Sequence, residues 1–150
     1  MKLLIPPAAQ VLISAGLMLA CGRYLPQLGF EFSGQTQIAT FATIGASIIL
    51  FFSIRLFSKE NTTVNPYTPE KSGRLVTTGI YRFTRNPMYL GMAVLLFAQG
   101  MWLGTWVFVP VLVLFVSYMT CFQILPEEEA LIEKFDEEYA EYCTKVRRWI

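Results

Sequence analysis

"NPMYLGMAVLLFAQGMWLGTWVFVPVLVLFVSYMTCFQILP", Asn86–Pro126, carries no charged side chain from one end to the other. A membrane helix needs about 20 predominantly apolar residues, at roughly 1.5 Å rise each, to cross a hydrocarbon core of about 30 Å. The run is about twice that length, and "QGMWLGTW" at its middle supplies glycines and tryptophans suited to an interfacial turn. It therefore reads as two spans, over 87–101 and 105–125, joined as a tight helical hairpin. Asn86 is the expected N-cap of the first and Pro87 fits its first helical position, where a missing N–H costs nothing. Pro110 falls early in the second helix, where it is tolerated near the first turns or produces a kink.

Outward from the hairpin, 3–22 and 32–54 are two more uncharged runs of spanning length. Hydrophobic residues make up 54% of the 150-residue chain and charged residues 15%, against about 25% charged in soluble domains. The expected fold class is all-α: an integral membrane protein of four transmembrane helices, forming a single domain over 1–150. The N-terminal run has the lysine-then-apolar order of a signal peptide, but it is long and lacks a cleavage site, so it is expected to stay. Eleven of the twelve Lys and Arg residues then share one side with both termini and a loop over 58–86; only Arg23, with Glu31, lies opposite. Positive residues gather on the cytoplasmic side. The expected location is a prokaryotic inner membrane with both termini cytoplasmic.

The chain has no histidine, which excludes histidine acid–base chemistry, and its three cysteines lack the spacing of a zinc site or disulfide framework. Net charge is +1, and the expected partners are membrane lipids and a lipophilic substrate, not nucleic acid. In the tail "PEEEALIEKFDEEYAEYCTKVRRWI", Leu131, Phe135, Tyr139, Tyr142, Val146 and Trp149 recur at steps of three or four. That spacing predicts an amphipathic helix over 127–147, lying on the membrane surface or lidding a cavity. Its acidic start, Glu127 to Glu129, and basic end, Lys145, Arg147 and Arg148, complement the helix dipole.

The loop over 58–86 shows no helical periodicity, and connections beyond about 12–15 residues usually carry function or lack order. At its end Arg82 and Arg85 have the position of topology anchors, since basic residues routinely flank spans. Arg85 also stands beside a helix N-terminus, whose N–H groups can hold an anion, and its guanidinium suits a carboxylate. The short hairpin brings Glu127 and Glu128 to the same face, near Arg85 and Tyr89. Aromatic, basic and acidic groups converging there make a candidate pocket for a small zwitterion.

"GRLVTTGIYRFTRNPMYLG" (73–91), followed by an apolar hairpin and then the "PEEEAL" tail, resembles the isoprenylcysteine carboxyl methyltransferases and their relatives among phospholipid N-methyltransferases. The resemblance covers roughly 65–150. It implies a membrane-embedded enzyme using S-adenosyl-L-methionine, with cofactor contacts at Gly73, Arg74, Leu75, Val76, Tyr81, Asn86, Pro87, Met88, Tyr89 and Glu127. Arg85 and Glu128 are the candidate catalytic residues. Two departures stand out. Relatives commonly read Arg-His-Pro where this chain has Arg85-Asn86-Pro87. The isoprenylcysteine enzymes place an arginine, implicated in holding the substrate carboxylate, where this chain has Gln123.

The reaction implied is in-line transfer of a sulfonium methyl to an amphiphile entering from the bilayer, governed by alignment of nucleophile, methyl and sulfur. A carboxylate acceptor needs no base, whereas an amine acceptor must lose a proton, for which Glu127 and Glu128 are the candidates. The acceptor atom, oxygen, nitrogen or sulfur, stays open. Two rivals are a four-span transporter or channel subunit and a nicotinamide-dependent membrane reductase. Against the first, no ionisable residue interrupts the spans; against the second, no glycine-rich dinucleotide fingerprint occurs.

Overall fold

A computed structural model describes residues 5–59 and 75–150. Gly73, Arg74 and most of the loop over 58–86 lie outside the described residues. Five α-helices make up most of the described residues: α1 (Pro7–Tyr24), α2 (Gln35–Lys59), α3 (Pro87–Leu103), α4 (Phe108–Met119) and α5 (Leu125–Lys145). No strand occurs among the described residues, and one isolated bridge pairs Gly29 with Thr105.

Pro7 and Pro87 each sit at the start of a helix, as their fixed φ and missing N–H allow. α2 is rich in Thr and Ser, yet their hydroxyls cost little, because Thr40, Thr43, Ser47 and Ser53 each donate to the carbonyl four residues back, at 2.6–2.8 Å. Such back-bonding satisfies polar groups inside the helix, as an apolar surrounding demands. The outward face of α2 is left to large apolar side chains, with Phe41 73% and Phe51 57% exposed. A soluble monomer rarely shows an apolar surface of that extent.

α2 packs along α3, and α1 packs against both α3 and α4. The core threads through these contacts, with Met18 of α1, Ala39 of α2, Leu96 of α3 and Phe115 of α4 all buried. Two close approaches fix the hairpin. A Cβ on Gly100 would lie 2.1 Å from Phe108 Cβ, so only glycine lets α4 cross α3 there. Gly104 ends α3 in the left-handed conformation (φ 59°), as helix C-terminal glycines do.

The α1–α2 turn is stitched to this hairpin. Phe30 N–H donates to Gly104 O at 2.7 Å, Trp106 N–H to Leu28 O at 2.9 Å, and Gln35 Nε2 to Met101 O at 2.7 Å. Phe30 packs at a tilt against Trp106, 4.8 Å between ring centroids. Both turns therefore lie at one end of the bundle, and the start of α3 and end of α4 at the other.

By length and composition, α2 over Gln35–Leu56 and the helix running over Phe108–Lys145 can cross a membrane; α3 is apolar but shorter. The last of these departs from expectation. The sequence suggests that the fourth span ends and a separate helix begins at Glu127, whereas α4 passes into α5 through a π-turn, Thr120–Ile124, without a break. Pro126 is the reason: it lies at the second position of α5, and the widened turn before it absorbs the hydrogen bond it cannot donate. The apolar part of this helix ends with Pro126. The interruption falls later, at Asp136, where φ is 41° and ψ −115°.

Adding a methyl where Gly100 meets Phe108 forces the hairpin apart, so Gly100→Ala is expected to destabilise by about 1–3 kcal/mol. Gly16→Ala, with nothing within 4 Å of its new Cβ, serves as the matched control. Thermal unfolding in detergent checks this, and equal midpoints for the two variants would contradict the close approach.

Candidate functional site

The end of the bundle opposite the two turns gathers the polar side chains. A short 3-10 turn, Gly79–Arg82, leads to α3 and buries Tyr81. Asn86 occupies the capping position of α3, but its side chain makes no cap, in contrast to the expectation. Instead its amide Nδ2 donates to Arg148 O at 3.0 Å, and its backbone N–H donates to Thr84 Oγ1 at 3.2 Å. No side chain among the described residues caps α3; Leu90 N–H donates to Asn86 O at 3.0 Å, which leaves the Met88 and Tyr89 N–H groups without an acceptor in the helix itself.

Three residues into α3, Tyr89 is buried and its hydroxyl donates to Glu127 Oε1 at 2.7 Å. Gln123, buried on the π-turn, donates its amide to the same oxygen. The hairpin thus joins the two sequence motifs through Tyr89 and Glu127. Burial pushes the Glu127 carboxyl up to about 7, and the charge of Glu128 adds to that, while the hydrogen bonds from Tyr89 and Gln123 pull the other way.

Glu128 turns to a different set of partners. Arg148 grips both of its oxygens, Nε to Oε1 at 3.0 Å and Nη2 to Oε2 at 2.7 Å, and Arg85 Nη2 lies 3.3 Å from Oε1. Arg85 also donates to Cys143 Sγ, and its backbone N–H donates to Arg147 O at 3.0 Å. Its side chain faces inward at 12% exposure, whereas Arg82 is exposed at the surface.

Tyr139 and Tyr142 of α5, with Val146 just beyond it, pack against Leu75, Leu131 and Phe135. Tyr142 donates its hydroxyl to Tyr81 O at 2.6 Å, tying this end of α5 to the turn before α3. Burial raises the hydroxyl pKa of Tyr139, Tyr142 and Tyr81 alike, so all three stay neutral and able to donate. Val76 and Pro87 are buried, and Met88 is half-buried.

Of the residues marked from sequence, Tyr89, Glu127 and Gln123 form one connected group and Arg85 with Glu128 a second beside it. Sequence reasoning missed Thr84, Arg148 and Trp149. Arg148 was expected to complement a helix dipole, but α5 ends at Lys145 and Val146 is extended, which turns Arg148 back onto Glu128. The "RRW" beyond the last helical turn was the available signal. An open groove of about 400 Å³, lined by Gln10, Leu114, Ser117, Tyr118, Cys121 and Phe122, lies between α1 and the outer face of α4 and includes none of the marked site residues.

The helical bundle with exposed apolar faces, and a polar cluster confined to one end, define a small membrane protein with a single-ended site. A family model described as "Phospholipid methyltransferase" matches residues 35–138, more than half of the chain. The chain belongs to the phospholipid methyltransferase family, which implies methyl transfer to a membrane-associated substrate. A Haemophilus influenzae protein described as uncharacterized is similar, 40% identical over 63 residues, which are 42% of this chain and 100% of that protein. The family favours neither the transporter nor the reductase alternative.

Because the folded-state pKa of Glu127 lies above its ordinary value of 4.5, its protonated form contributes stability that is present below about 4.5 and lost as pH rises through about 7. Glu127→Gln, neutral throughout, keeps that contribution. Its thermal midpoint is expected to gain on the wild type between pH 5 and pH 8, by the equivalent of about 1–3 kcal/mol. A constant difference across that range would contradict the burial of Glu127.

Proposed function

We propose that the chain transfers the methyl group of S-adenosyl-L-methionine to a lipophilic or amphiphilic acceptor at the cytoplasmic face of a prokaryotic inner membrane. In this reading α1 to α4 are four spans, with both termini and the Tyr89–Glu127 end facing the cytoplasm. The observation that carries it is the contact of Tyr89 with Glu127, which joins the two halves of the family's sequence pattern at one helix start.

The donor set suits the cofactor. Orphan N–H groups at the start of α3 match a carboxylate, and the Glu127 carboxylate matches an ammonium. The faces of Tyr81 and Tyr89, both close enough to Glu127 to feel its charge, can attract a sulfonium cation. The resemblance adds Gly73, Arg74, Leu75, Val76, Pro87 and Met88 to these contacts. When bound, the cofactor supplies an electrophilic methyl, and what remains for the protein is to orient the acceptor in line with it.

Gln123 is hydrogen-bonded to Glu127, where the isoprenylcysteine enzymes have arginine. That arrangement favours an amine or other neutral nucleophile over a carboxylate acceptor, and so the phospholipid branch of the resemblance over the isoprenylcysteine branch. Glu127, with its raised pKa, is the group suited to take a proton from such an amine. Glu128 is held by two guanidinium groups and takes a positioning role with Arg85 rather than a catalytic one.

Titration calorimetry of the detergent-purified protein is expected to show saturable binding of S-adenosyl-L-methionine that a nicotinamide dinucleotide does not displace. Tyr81→Ala, Asn86→Ala and Glu127→Ala are each expected to weaken it about tenfold or more, a cost of roughly 1.4 kcal/mol. No binding to folded protein at millimolar ligand overturns the reading; undiminished affinity in all three variants overturns the residue assignment.

A further inference from the structure

Beyond α5 the chain reverses. Val146 is extended (φ −127°, ψ 130°), and Arg147, Arg148 and Trp149 run back across the start of α3. Two of their backbone carbonyls accept from three donors there: Arg147 O from Arg85 N–H at 3.0 Å, and Arg148 O from Thr84 Oγ1 at 3.3 Å and Asn86 Nδ2 at 3.0 Å. The Arg148 guanidinium forks onto Glu128 at the start of α5. Trp149 packs against the main core and its Nε1 donates to Thr120 Oγ1 at 3.1 Å, on the π-turn that also carries Gln123. One short segment thus touches both elements whose separation decides whether Tyr89 meets Glu127.

We propose that Val146–Trp149 is a strap that sets the donor site, with Arg148 and Trp149 as positioning residues that hold the α3 start against the π-turn. The proposal rests on the methyl-transfer reading for what the site binds, and on the bonds above for what the strap does. Two features argue for a device rather than for surface packing. The strap's carbonyls are taken by the loop and α3 start, not by neighbours along the chain, and its guanidinium reads both carboxylate oxygens, a geometry that lysine cannot reproduce. The strap also engages the Asn86 side-chain amide, at the position where relatives commonly carry histidine.

Wild type, Arg148→Ala, Arg148→Lys, Glu128→Gln, Arg148→Ala with Glu128→Gln, Trp149→Phe and, as a surface control, Lys145→Ala are compared in lipid nanodiscs. Site-resolved hydrogen exchange is expected to show at least tenfold faster exchange of the Arg85 and Leu90 amides in Arg148→Ala and Trp149→Phe, with α2 unchanged. S-adenosyl-L-methionine affinity is expected to fall tenfold or more in both, Arg148→Lys failing to rescue it, and Arg148→Ala with Glu128→Gln losing no more than either alone. A second readout is the pH at which binding is half-maximal. The titratable groups facing Glu127 are Tyr89 from α3, Tyr81 from the preceding turn and Glu128 on its own helix. Loosening the strap lets water reach Glu127 and relieves the burial that raises its pKa, so that midpoint is expected to move to lower pH. Unchanged exchange overturns the strap. Faster exchange with unchanged affinity and pH midpoint overturns its positioning role. If the wild type binds no S-adenosyl-L-methionine, the methyl-transfer reading falls and the exchange result alone decides the strap.

Discussion

Glu128 sits between Arg85 and Arg148 at the edge of an otherwise apolar bundle, and much of the polar end is arranged around that fact. A carboxylate with little access to water is costly unless opposite charge and hydrogen bonds surround it. The partners come from two places distant in sequence, the loop before α3 and the segment beyond α5. Removing either guanidinium would leave a largely buried charge short of a partner, so the two parts of the chain are coupled. Glu127, one residue earlier, is free to face Tyr89 and Gln123 because Glu128 takes up the cationic groups.

The two ends of the bundle are built on different physics. Where α1 meets α2 and α3 meets α4, backbone hydrogen bonds and a cluster of Phe and Trp rings join the turns, with Gly100 and Gly104 allowing the chains to close. That end holds few charges. The other end is held by side-chain hydrogen bonds and ion pairs, which are more sensitive to pH, salt and what binds there. Substrate chemistry belongs where geometry can respond to charge.

The helices were largely legible because charge-free runs of spanning length leave few alternatives, and Pro87 and Gly104 mark α3 at both ends. The α4–α5 continuity was not, because Pro126 followed by three glutamates reads locally as a fresh helix start, and only the π-turn reconciles the proline with an unbroken helix. Within the site, the meeting of Tyr89 with Glu127 followed from a hairpin with a short turn. Arg148 did not follow from anything local. Its pairing with Glu128 depends on Val146 leaving the helix and on a tertiary reversal, and a charge pattern along a helix carries no record of either. Asn86 misled in a similar way: its type suits a cap, but the donation of its Nδ2 to Arg148 O orients the side chain toward the reversed segment, and its oxygen caps no N–H of α3.

The π-turn has a further geometric effect. A turn of this kind holds one residue more than an α-helical turn, which rotates everything after it by about 100° relative to a regular helix. The face that α4 turns to the core and the face that α5 presents are therefore set independently, as though two helices with separate phases had been welded at Thr120–Ile124. Above the weld, periodicity answers to the bilayer and the neighbouring helices; below it, to the polar mouth. The register of Glu127 against Tyr89 is thus set by this turn and not by the phase of α4 alone.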